Sequence, residues 1–155
     1  MIGRLYKAGI GGQAQTTALT LMEISSAADS VTLIERMYVS QSSFDTSENL
    51  AVKVQVITTT GTGTDSSADV NPIQIGDAAF GGTFETNCTI EPTYTANAVY
   101  VEQGFNVLSG WLWTPASDDE VITLSPSGLV GVMLDVAPSG SMDFHYGCTI
   151  REIGG

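Results

Sequence analysis

The stretch "SMDFHYGCTIRE", residues 141 to 152, decides how this chain is read. Met142, Phe144, Tyr146, Cys148 and Ile150 fall on one side of an extended backbone, and Asp143, His145, Thr149 and Arg151 fall on the other. A period of two residues is the signature of a β-strand with one buried face. The same pattern runs through "LAVKVQVIT" (50 to 58), with Leu50, Val52, Val54 and Val56 inward and Lys53 and Gln55 outward. It recurs in "LVGVMLDV" (129 to 136), where Val130, Val132, Leu134 and Val136 oppose Gly131, Met133 and Asp135. Shorter candidates are "ALTLMEI" (18 to 24), "VTLIERMYVS" (31 to 40), "TFETNCTI" (83 to 90), "AVYVE" (98 to 102), "FNVLSGWLW" (105 to 113) and "EVITL" (120 to 124). "SSAADS", "TTTGTGTDSSAD", "SPSG" and "APSG" supply the Gly, Pro, Ser and Asp that turns require. No segment carries a helical stripe longer than about two turns. About eight or nine short strands predict a single-domain antiparallel β-sandwich over residues 17–155, most economically a jelly roll.

Composition narrows the function classes. The chain has 155 residues, 43% of them hydrophobic, enough for one core. Five Lys and Arg against 17 Asp and Glu give a net charge of −12. Binding to nucleic acid draws on basic side chains that displace phosphate counterions, so this balance argues against it. Contact with anionic membranes is disfavoured for the same reason. No apolar run approaches the roughly 18 residues that span a bilayer. After Arg4 and Lys7 the chain reads "AGIGGQAQTT", too polar and glycine-rich for a secretory leader, so folding in the cytoplasm is expected. Cys88 and Cys148 are too few for a zinc or disulfide framework, and they read as reduced thiols or as a single cross-strand disulfide.

Motifs for chemistry are sparse. A metal-dependent cupin needs several histidines on neighbouring strands, and His145 is alone. A serine hydrolase needs a base beside its nucleophile, and "SPSG" lacks the first glycine of the nucleophile elbow. Seventeen acids always contain some pair that could reach glycosidase spacing, so their number carries no specificity. "SDDE", with Asp118, Asp119 and Glu120, lacks the spaced oxygen ligands of a calcium loop and reads as a solvated turn. Neither phosphate-binding glycine motif occurs. No catalytic residue, cofactor or metal site is therefore assigned, and a non-enzymatic protein is expected.

Two features ask for a partner. In "FNVLSGWLW", strand phase places Phe105, Val107, Trp111 and Trp113 on one face and Leu108 and Leu112 on the other, so both faces are apolar. Such a strand wants cover on both sides. Trp111, Leu112 and Trp113 could belong to the core or to a contact between subunits, and the two tryptophans also to a platform on which sugars stack. Residues 1–16 read as an extended N-terminal arm, because glycines at 9, 11 and 12 interrupt their only apolar stretch. The arm is either a frayed terminus or a docking segment with Tyr6 as anchor and Arg4 and Lys7 as charges.

Four segments carry a resemblance: "ERMYVSQSSFDTSENLAVKVQVITTTGTGT", "NPIQIGDAAFGGTFETN", "VYVEQGFNVLSGWLWTP" and "GLVGVMLDVAPSGSMDFHYGCTIREIG". In this order, across about residues 31–155, the chain resembles small virion proteins of tailed bacteriophages, in particular head decoration (cement) proteins. The resemblance implies a jelly-roll homotrimer on the capsid exterior that bridges major capsid proteins. On that reading Arg4, Tyr6 and Lys7 would touch the capsid, and Trp111, Leu112 or Trp113 would help join protomers. The alternatives are a receptor- or glycan-binding module of a tail or fibre and, more remotely, an enzyme that degrades glycosides.

Overall fold

The computed structural model describes residues 3–154 and is an all-β, antiparallel two-sheet sandwich. Its strands are β1 (Arg4–Gln15), β2 (Leu19–Ser25), β3 (Ser30–Gln41), β4 (Asn49–Thr59), β5 (Thr62–Asp65), β6 (Asn71–Pro72), β7 (Thr83–Ile90), β8 (Thr93–Asn106), β9 (Trp111–Trp113), β10 (Ile122–Leu124), β11 (Leu129–Leu134) and β12 (Met142–Gly154). Sheet A has the order β10-β3-β12-β1-β6, with β9 also paired to β3. Sheet B has the order β5-β7-β2-β11-β4-β8.

The pairing is nested. β1 runs antiparallel to β12, β2 to β11, β3 to both β9 and β10, and β4 to β8. The first part of the chain thus meets the last part in reverse order. Residues 60–92 depart from this scheme: β7 and β5 extend sheet B beyond β2, and β6 extends sheet A beyond β1.

Alternation fills the space between the sheets. Phe144, Tyr146 and Ile150 of β12 pack with Leu50, Val52 and Val54 of β4 and Val130, Val132 and Leu134 of β11 in one core. Two inward assignments fail. The β4–β8 ladder shifts register between Val54 and Gln55 and again between Gln55 and Ile57, so Ile57 turns inward and Val56 is only half-buried. β11 ends at Leu134, and Val136, beyond the ladder, is exposed.

The largest departure from expectation is at the amino end. Residues 4–15 are not a free arm: β1 pairs with β12 from Arg4↔Glu152 to Gln15↔Met142. Met1 and Ile2 of the expected arm, and Gly155 of the expected sandwich domain, lie outside the described residues. The three glycines that looked disruptive are accommodated in an irregularity of the ladder between Ile10 and Gln13 and in the neighbouring Gly9↔Gly147 pair. Gly147 permits a close approach, since a Cβ there would lie 2.2 Å from the Ala8 carbonyl oxygen.

Glu152 ties this region together. Its carboxylate is buried, and it lies 3.2 Å from the Tyr6 hydroxyl, 3.2 Å from the Ser30 hydroxyl and 3.1 Å from the Gly81 amide. The Tyr6 hydroxyl is also 3.0 Å from the Ala78 carbonyl, and its ring packs on Phe80 at 5.5 Å. β1, β3 and the loop before β7 therefore share one acceptor. Glu152→Ala would strand several buried donors and is expected to cost about 2–4 kcal/mol, read as a lower urea midpoint with an unchanged slope.

Candidate functional site

The outer surface of sheet A is built in rows by the register of β9, β3, β12, β1 and β6. One row runs Leu112, Tyr38, Gly147, Gly9, and the next runs Arg36, Thr149, Lys7, Asn71. A third runs Leu33, Arg151, Leu5. Between the second and third rows the β3–β12 register shifts, so Glu35 is an extra residue that forms an ion pair with Arg151.

A groove of about 440 Å³ opens on this face, lined among others by Lys7, Arg36, Tyr38, Asp69, Asn71 and Thr149. Tyr38 lies across the glycine row, because a Cβ on Gly147 would come within 2.8 Å of its hydroxyl. Burial, more than any neighbouring charge, pushes the Tyr38 phenol above its ordinary range. Lys7 and Arg36 flank Thr149 from either side. Strands about 4.8 Å apart put the two cations within reach of one ligand group. Both are exposed, and neither belongs to an ion pair among the described residues.

The opposite face has the other sign. On sheet B, Glu23 stands directly across from Glu85, which stands across from Asp65. Lys53, on β4, is held by Glu102 and Asp135. Glu23 is buried and accepts a hydrogen bond from the Gly61 amide at 3.0 Å. Burial first, then the charges of Glu85 and Glu91, push its carboxyl above the ordinary value of 4.5, against the opposing effect of the Gly61 bond. The folded state then holds that proton more tightly than the unfolded chain, so stability falls as pH rises through the interval between the two pKa values. Glu23→Gln is expected to raise the Tm at pH 7, and the gain should vanish as pH falls below about 4.5. A lower Tm at neutral pH would instead make the Gly61 bond worth more than the charge it holds.

The residues singled out in the sequence are dispersed. Tyr6 is fully buried and Arg4 lies by Glu152 and Gly154 at the strand end, so of the expected docking trio only Lys7 reaches the groove. Trp111 is buried, with its indole N–H donated to Gln103 Oε1 at 3.1 Å. Trp113 is half-buried against the core edge, and Leu112 is 56% exposed. The segment 105 to 113 is not one strand: residues 107 to 110 form a turn, and Gly110 takes φ +70°. Cys88 and Cys148 are both free and buried, and burial pushes each thiol up to about 12, which leaves little nucleophilic thiolate at neutral pH. His145 is half-buried and within 2.8 Å of the Ser42 hydroxyl.

Arg36, Tyr38, Thr149 and Asn71 were not picked out from the sequence. The alternation in "ERMYVS" does put Arg36 and Tyr38 on one face. Nothing local says that Lys7 and Thr149 stand beside them. Among the described residues, no group of three or more His, Cys, Asp and Glu could hold a metal ion. No helix among them is long and apolar enough to cross a membrane. The groove can offer two positive charges, two hydroxyls and an amide, with one carboxylate, Asp69, at its wall, so its charged side chains are cationic by two to one. Compared with protein-family models, curated proteins and solved structures, the chain finds no match.

Proposed function

We propose that this chain is a non-enzymatic structural protein of a bacteriophage virion, one that decorates and cements the capsid exterior by bridging major capsid proteins. The observation that carries this reading is the split of charge between the two faces. In a chain of net charge −12, Lys7 and Arg36 stand unpaired on one face, with Asp69 as the carboxylate at their groove, while Glu85, Asp65, Glu102 and Asp135 gather on the other around Lys53. A protein with one adhesive face and one strongly acidic face is suited to lie on a larger surface and stay soluble on its outer side. The nested pairing supports the jelly-roll form of the sandwich: β1·β12, β2·β11, β3·β9/β10 and β4·β8 are what a long hairpin makes when it is rolled into two sheets.

The docking contact in this proposal is the sheet A groove with Lys7 and Arg36, in place of an arm. The working oligomer is a homotrimer, a state that rests on the family resemblance, with exposed Leu108 and Leu112 available at the contact between protomers. Cosedimentation with empty capsids of the parent phage tests the reading. The double variant Lys7→Glu, Arg36→Glu is expected to weaken capsid binding by about tenfold or more, because like charges would then face an acidic partner. Its Tm should stay close to that of the parent chain, since both residues are exposed and unpaired. Undiminished cosedimentation of the double variant would rule out this face as the contact.

A further inference from the structure

A second cleft lies at the flank where both sheets end. β8, the edge of sheet B, brings Tyr100; β9 and β10, on the edge of sheet A, bring Trp113, Ile122 and Thr123. A one-turn 3-10 segment, Asp118–Glu120, lies in the connection between β9 and β10 and contributes Asp119 and Glu120. The cleft encloses about 520 Å³.

We propose that this cleft binds a basic side chain, the guanidinium or ammonium group of an arginine or lysine on a partner protein. The aromatic walls are fixed at different depths: Trp113 is half-buried against the core, and Tyr100 is 49% exposed. An aromatic face within about 6 Å of a cation attracts it through the ring quadrupole. The two carboxylates have no cation of their own, since the ion pairs among the described residues involve only Lys53 and Arg151. Glu120 receives one backbone bond, from the Ala116 amide at 3.3 Å, which orients the turn and leaves acceptor capacity free.

Charge favours a cation over a neutral sugar. No Lys, Arg or His lines the cleft, so its only charged groups are the carboxylates of Asp119 and Glu120. A guanidinium brings five donors and no acceptor, and its planar face can stack on an aromatic ring. Two carboxylates without a cation of their own, set between aromatic walls, thus point to a cationic ligand. The cleft lies on a different part of the surface from the Lys7–Arg36 groove, and the proposal stands independently of capsid binding.

The test uses the intact protein labelled with ¹⁵N. Two indole N–H signals are expected, from Trp111 and Trp113, and Trp113→Phe assigns them. N-acetyl-arginine amide should shift the Trp113 signal saturably in the millimolar range, with much less effect on the buried Trp111. Raising salt should weaken the effect. The double variant Asp119→Asn, Glu120→Gln alters only exposed side chains and should lower the affinity about fivefold or more, as should Tyr100→Ala. An unmoved Trp113 signal would overturn the proposal. So would an affinity that ignores the carboxylates, or equal binding of neutral cellobiose.

Discussion

Deleting residues 1 to 10 is expected to give a chain that does not fold. The cut removes every register pair from Arg4↔Glu152 to Ile10↔Tyr146 and leaves β12 without its β1 neighbour from Tyr146 to Glu152. It also removes Tyr6 and Ala8 from the core, at 0% and 4% exposure. Burying one large aromatic side chain takes about 150–250 Å² from water, worth about 4–6 kcal/mol at about 25 cal/mol per Å². Glu152 would also lose the Tyr6 hydroxyl while remaining between Ser30 and Gly81. Domains of this size are stable by only about 5–15 kcal/mol in total, so the loss of most of a long strand with buried side chains consumes most of it. Circular dichroism and urea unfolding read the outcome: no cooperative transition, or failure to accumulate in soluble form. A truncated chain that unfolds cooperatively at the parent's Tm would return residues 1–10 to the status of a free arm.

The next largest effect is expected at Trp111. It is 4% exposed, its indole N–H is bonded to Gln103, and its strand pairs with Val39 of β3. Trp111→Ala leaves a cavity and should cost about 3–5 kcal/mol, nearly all of it from lost packing, because the exposed Gln103 amide can turn to water. The neighbouring Leu112, 56% exposed, provides the contrast: Leu112→Ser should change stability of the isolated chain by no more than about 0.5 kcal/mol. Urea midpoints of the two variants measure both. Equal costs at 111 and 112 would contradict the inward and outward phases of β9. If Leu112 lies in a contact between protomers, the serine variant should also shift the oligomer toward monomer at an unchanged unfolding midpoint measured at low concentration.

The phase of that segment was legible even though its continuity was not. Phe105, Val107 and Trp111 are buried and Leu108 and Leu112 exposed, as a continuous strand would have them. The chain nevertheless breaks into a turn, with backbone bonds from Ser109 and Gly110 to Asn106, before β9 begins. A turn that restores the same inward face leaves the alternation intact, so periodicity alone cannot reveal it. β1 was illegible for a related reason. Its outward side is Leu5, Lys7 and Gly9, its inward side Tyr6 and Ala8, and this weak contrast is no stronger than that of an unstructured terminus. What makes it a strand is the ladder it finds on β12, a partner 144 residues away where Tyr6 pairs with Ile150.

From the amino-acid order alone came the β class, the inward faces of β11 and β12 and most of β4, and the strong acidity, because each follows from neighbouring residues or from a simple sum. Tertiary structure decided which strands lie side by side, and therefore that Lys7, Thr149 and Arg36 share a row and that Tyr100 faces the same cleft as Trp113. Register between distant strands is set by the packing of two complete faces and by irregularities such as the extra residue at Glu35, and no window of local sequence contains either.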